Sequence, residues 1–297
     1  MDMARTRAQS RGEAQSRKRK AKGLENEESH PEGAKRKKST ALKESPVPRK
    51  GPVGKRKAEK EEAKPTDVER PKHKVTTSPP PSSIITKIDN LIAKYGNLPL
   101  SDVGLPSPNT PTPETILAHL LNALLSSARI SHAIAKRTLK GLIKGGYHDL
   151  KTLEASTWEE RVALLDEAGY VRYDYKTATE LGNLATFLKD KHESDATKLL
   201  PSGSDSASNR QILRDRLKEI KGLGPLGIEI FISTVQMPWP PLCPFIDSRD
   251  LKTAEQIGLG KDVNAIYQWL GQKPEKMARL SAALTEIRLE KHAAEFS

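Results

Sequence analysis

Residues 209 to 232 read NRQILRDRLKEIKGLGPLGIEIFI. Ile212, Leu213, Leu217 and Ile220 recur at helical spacing, then Gly222-Leu223-Gly224-Pro225-Leu226-Gly227 interrupts the pattern, and a second apolar run follows. The spacing predicts two helices joined by a short turn with glycines at alternate positions, a helix-hairpin-helix over about 209–236. Glycine lets the backbone approach a neighbour closely. The N–H groups that open the second helix have no partner within it and carry the positive end of its dipole, so they suit a phosphate. Contacts of that kind ignore base sequence, because phosphates carry none. The same pattern also describes an ordinary αα-hairpin closed by a glycine turn.

Outward from the hairpin the chain reads as helices throughout, with no convincing period-two stretch. Ile84, Ile85, Ile88, Leu91, Ile92 and Tyr95 predict a helix that stops at Gly96. Thr112 followed by Pro113 predicts an N-cap and first helical position for the apolar helix from Ile116 to Leu125. Ser131 caps the next helix, which runs to Gly145-Gly146, and Thr157 with Glu160 makes a capping box for a helix that ends at Gly169. Ala178, Leu181, Leu184, Phe187 and Leu188 mark another. The fold class expected is all-α over 83–297, a single helical body of one domain or two packed lobes.

Before that body the composition changes. Residues 1–84 hold 23 Lys+Arg against 12 Asp+Glu and none of the aromatics, so nearly all of the chain's formal charge of +12 sits there. So charged a segment lacks the apolar groups to offset the entropy of ordering, and residues 1–82 are expected to be a disordered basic arm. Its basic runs, Arg17–Lys20, Lys35–Lys38 and Lys55–Lys57, are of the kind that nuclear import receptors read or phosphates attract. Arg49-Lys50-Gly51-Pro52 is a poor match to a minor-groove hook. The sequence has no run of about 18 apolar residues and no apolar N-terminal leader, so neither a membrane span nor secretion is expected. One cysteine, Cys243, rules out an internal disulfide, and the lack of a Cys or His cluster leaves no metal or other cofactor to expect.

The body resembles the helix-hairpin-helix base-excision DNA glycosylase superfamily, of which endonuclease III is the type, from Thr112 to the C-terminal helix. Leu120-Leu121-Asn122-Ala123-Leu124-Leu125-Ser126-Ser127 resembles its early helix ending in Leu-Leu-Ser, and Gly169-Tyr170 with Tyr173, Lys176 and Ala178 its Gly, aromatic, Lys-Ala segment. The hairpin, then Trp239-Pro240 and Phe245-Ile246-Asp247, resembles its glycine turn, Trp-Pro loop and later Asp. The resemblance implies a two-lobed fold with a pocket between the lobes, and Asp247 at its mouth as the catalytic carboxylate beside a cationic sugar. Gly222, Leu223, Gly224, Leu226 and Gly227 would form the phosphate-binding turn. Asp247, with Asp250, is equally placed to be a helix N-cap.

Three departures matter. The lysine that lyase-competent members use to form a Schiff base corresponds to Leu226, the iron–sulfur cysteines are absent, and the Gln that fills the gap left by a flipped base corresponds to Ala128 or Arg129. Arg129 has the reach for such a wedge and is equally well a surface arginine. Trp239 is placed either to stack on an extruded base or to pin its loop. Cys243, without a neighbouring base, reads as a buried structural thiol. The resemblance implies a monofunctional DNA N-glycosylase acting on double-stranded DNA, expected to be a monomer, and the basic runs of the arm add the expectation of a nuclear location; the alternative is a catalytically inactive DNA-binding or chromatin protein on the same fold.

Overall fold

The computed structural model describes residues 82–296; the basic arm, its three charged runs and Arg49–Pro52 lie outside the described residues. No strand occurs among the described residues. Helix α1 spans Ser82–Tyr95, α2 Pro113–Ser127, α3 His132–Lys144, α4 Leu150–Ala155, α5 Trp158–Glu167 and α6 Asp174–His192. They are followed by α7 (Ser206–Leu217), α8 (Pro225–Val235), α9 (Ser248–Gln256), α10 (Val263–Trp269) and α11 (Pro274–Leu289), with short 3₁₀ turns at Ala196–Leu199, Pro240–Leu242 and Ala293–Phe296.

Local chemistry sets the helix ends. The Thr112 hydroxyl accepts from Thr115 N with Pro113 behind it, and the Ser131 hydroxyl accepts from Ile134 N. Thr157 and Glu160 form the reciprocal capping box, Glu160 N donating to Thr157 Oγ1 at 3.1 Å and Thr157 N to Glu160 Oε2 at 2.8 Å. Each cap satisfies N–H groups that a helix leaves over, worth about 1 kcal/mol. Gly146 and Gly169, just past the ends of α3 and α5, adopt φ of +80° and +84°, which a side chain would strain.

Two hydrophobic cores result. The first gathers α2 to α8 around α2, in which every residue from Thr115 to Leu125 is buried; a helix apolar on all sides belongs at the centre of a core. The second joins α1, the first helix described, to α9, α10 and α11. Among the described residues the path thus starts in the second core, builds the first, and returns to the second through the segment after α8. Helix α11 touches α8 as well as α1 and α9, so it links the two cores.

Candidate functional site

The returning segment carries Asp247, and side chains from both cores hold it. Gln236, at the end of α8 and fully buried, donates from Nε2 to Phe245 O at 3.0 Å and accepts from Phe245 N at 3.0 Å. Ser281 of α11 donates to the same carbonyl at 3.1 Å. Arg210 of α7 donates to Leu242 O and Pro244 O at 2.8 and 3.1 Å. Leaving one such buried group unpaired costs about 1–3 kcal/mol, so the segment has little freedom.

Asp247 is 3% exposed and caps α9: Oδ1 accepts from Arg249 N at 2.7 Å and Asp250 N at 3.0 Å. Its Oδ2 accepts from the Arg249 guanidinium at 2.9 Å. Burial alone would raise the carboxyl pKa, but the Arg249 side chain and the two backbone donors outweigh it and hold Asp247 below the usual carboxylate range. Three residues on, Asp250 is wholly buried, accepting from Thr285 Oγ1 at 2.5 Å and Arg288 Nε at 2.8 Å. Burial first, then the charge of Asp247, pushes Asp250 upward. The N-cap role open to Asp247 in the sequence is therefore filled, without removing it from the cavity it faces.

That cavity, of about 120 Å³, lies between the two cores. Helix α2 supplies Asn122 and Ser126, α3 His132, Lys136 and Leu139, and α8 Ile230, Ser233 and Thr234. From the second core come Asp247, Arg249 and much of α11, including Ala278, Thr285, Glu286 and Arg288. Asn97, Leu98 and Pro99 close one edge. An engineered cavity of about 150 Å³ accepts benzene, so a space of this order that is also open at its mouth admits a flat ring.

The predicted hairpin is present as α7, the turn and α8. Gly222 adopts φ of +90°, and a Cβ there would run into the Glu180 carboxyl group. Glu180 pairs with Lys176 at 3.4 Å, which offsets its charge beside the turn. Gly224 is the N-cap of α8, and no side chain caps that end. The two later glycines differ: a Cβ at Gly224 meets nothing within 4 Å, whereas one at Gly227 would meet Leu223 Cδ1 at 2.5 Å and Ala123 O at 3.4 Å. Gly224 keeps an approach open; Gly227 serves the packing of α8 on α2. Leu223 is buried in the first core, so it anchors the turn from within.

Leu226 is 37% exposed in the first turn of α8, one turn short of the Ile230, Ser233 and Thr234 that reach the cavity. Arg129 is exposed after α2, three residues beyond Ser126 on the cavity wall. Trp239 does not line the cavity; its Nε1 donates to Pro201 O at 2.7 Å and its ring packs against the first core, so of its two readings it takes the loop anchor. Cys243 is buried, and burial pushes its thiol up to about 11, away from nucleophilic reactivity.

Gln236, Arg249, Asn122 and Glu286 did not stand out in the sequence as site residues. Two signals were present: a polar Asn122 inside a leucine run, and an arginine two residues after Asp247.

No protein-family model matches the chain, and no curated protein matches it in sequence. Among solved structures it is similar to the H. pylori 3-methyladenine DNA glycosylase MagIII bound to 1,N6-ethenoadenine, at 14% identity over 70% of this chain and 97% of that one, with a TM-score of 0.42. It is also similar to endonuclease III in a trapped covalent DNA intermediate and in a non-covalent DNA complex, each at 16% identity over 69% of this chain and 84% of that one, with TM-scores of 0.38 and 0.39. Likeness of this degree carries no argument about chemistry, which rests on the residues themselves.

Proposed function

We propose that the chain is a monofunctional DNA N-glycosylase of base-excision repair. The observation that carries this reading is the open cavity between the two cores with the buried, ionised Asp247 on its wall. Uncapped N–H groups at the start of α8 would take a backbone phosphate, and a damaged base turned out of the duplex would enter the cavity, most cheaply where its pairing is already weak. As the C1′–N bond breaks, its electron pair leaves with the base and positive charge grows on the sugar. The Asp247 carboxylate would stabilise that charge and accept a proton from the attacking water as its oxygen bonds to C1′; the departed base takes up a proton from solvent, to which Asp247 returns its own. Its Oδ1 is saturated by two N–H donors, whereas Oδ2 has one donor and retains a lone pair for that task. Leu226 offers no amine, so the product is a free base and an abasic site in an unbroken strand.

The charge excess before residue 85 would add sequence-independent attraction to DNA and direct the protein to the nucleus. Deleting residues 1–81 is then expected to flatten the salt dependence of duplex binding, by about 0.9 in slope for each phosphate that the arm had neutralised; an unchanged slope would show that the arm does not touch DNA.

A second reading, a DNA-binding or chromatin protein without catalysis, draws support from the three donors that already engage Asp247. Incubation with duplexes bearing a panel of lesions separates the two. Base release with the strand intact until alkali, and no adduct on borohydride treatment, is the expected result. Duplex binding with no release from any lesion would leave the second reading, and a trapped adduct would show that another amine does the work of the missing lysine.

A further inference from the structure

The cavity wall has hydrogen-bond donors left over and no anionic group left unpaired. Asn122 is 7% exposed in α2, and its Oδ1 accepts the Ser126 hydroxyl at 3.2 Å. No described residue accepts from its amide nitrogen, so two N–H groups remain for whatever fills the cavity. On α3, Lys136 Nζ lies 3.4 and 3.2 Å from the two carboxylate oxygens of Glu286 on α11, and His132 Nε2 lies 3.0 Å from Oε2. Burial, then the charge of Lys136, lowers the His132 pKa, so a neutral ring donates to Glu286 through Nε2. Glu286 therefore holds two donors at the wall and is itself spent. Asp247 is paired with Arg249, and the one lone pair that its Oδ2 keeps is the one taken up by the sugar and the attacking water rather than by the base.

No Phe, Tyr or Trp is among the described residues that line the cavity. A cationic, N-alkylated base is held by aromatic faces or by a carboxylate with no other partner. This wall provides neither. It provides N–H donors, which suit an uncharged base with carbonyl oxygens or ring nitrogens on its edge.

Resting on the reading of the cavity as the seat of an extruded base, we infer that Asn122 is the specificity-determining residue, its amide N–H groups selecting an uncharged base with acceptors on its edge over a cationic one, with Lys136 as a second donor. Two purines of similar size test this in non-cleavable duplexes of one sequence: 2′-fluoro-2′-deoxyinosine, uncharged with its ring acceptor free, and 2′-fluoro-N7-methyl-2′-deoxyguanosine, cationic with that acceptor blocked. The wild-type protein is expected to bind the inosine duplex about tenfold more tightly, the scale of a good buried hydrogen bond. Asn122→Leu, close in size, should abolish the difference without changing affinity for undamaged duplex. Asn122→Asp, which replaces donors by acceptors, should reverse it. Lys136 is half-exposed, so Lys136→Met leaves folding intact and should narrow the difference. Equal wild-type affinities, a difference that survives Asn122→Leu, or one that Lys136→Met leaves undiminished, would overturn the inference. The cleavable 2′-deoxy counterparts keep the two proposals apart: a preference without base release sinks the glycosylase reading alone, and base release without a preference sinks this one alone.

Discussion

The hairpin turn and the segment bearing Asp247 are both candidate contact points, but they are built in opposite ways. The start of α8 has no side-chain cap, open space at Gly224, and backbone donors left to be used. Asp247 has a donor on every side but one, in a segment fastened by Gln236 from the first core and Ser281 from the second. One region is poised by what it lacks, the other by how firmly it is placed. A phosphate brings its own charge and needs only free N–H groups, whereas a carboxylate facing a short-lived cation must already be fixed and ionised.

The largest effect that would sharpen the contrast comes from Asp247→Asn. Asparagine is a good N-cap, so the helix start and duplex affinity are expected to survive. Loss of the negative charge should lower excision about 10²-fold or more in single-turnover assays. Full activity would reduce Asp247 to a helix cap.

Next come the two glycines, which the sequence presents as equals and the structure separates. Gly227→Val forces a branched side chain against Leu223 and the Ala123 carbonyl, and should cost about 1–3 kcal/mol in denaturant unfolding. Gly224→Ser meets no obstruction and adds a capping hydroxyl, so stability should hold or rise by a few tenths of a kcal/mol, while affinity for all duplexes falls because the hydroxyl occupies the N–H groups a phosphate would use. Unchanged affinity in Gly224→Ser would mean that the hairpin faces something other than DNA.

How far the sequence could be read follows the same division. The caps at Thr112, Ser131 and Thr157, the stops at Gly146 and Gly169, and the hairpin itself were legible because each depends on residues within a few positions of one another. Asp247 was singled out by the resemblance, through its place after the hairpin, and the structure sets it at the start of α9 on the cavity wall. The cavity was not: its wall joins Asn122, Lys136, Thr234 and Glu286, which only the packing of α2, α3, α8 and α11 brings together. Trp239 shows the converse, since nothing in its neighbours foretold the Pro201 carbonyl that settles its direction.

The smallest effect concerns Arg249. Its guanidinium helps to hold the Asp247 pKa down and gives the carboxylate its one side-chain donor. Arg249→Met keeps the helical stem and removes the charge, so the folded-state pKa of Asp247 should rise toward or above its ordinary value. An acid depressed in the folded state contributes stability that is present above its unfolded pKa and lost as pH falls through the folded one. The mutant should lose part of that contribution, and the acid limb of its excision profile should move to higher pH while the rate on the neutral plateau stays within a few-fold. That combination distinguishes a positioning partner from a merely structural one, which would lower stability alike at all pH values and leave the limb where it was. A limb that does not move would show that the two backbone donors at the start of α9 are enough to keep Asp247 ionised.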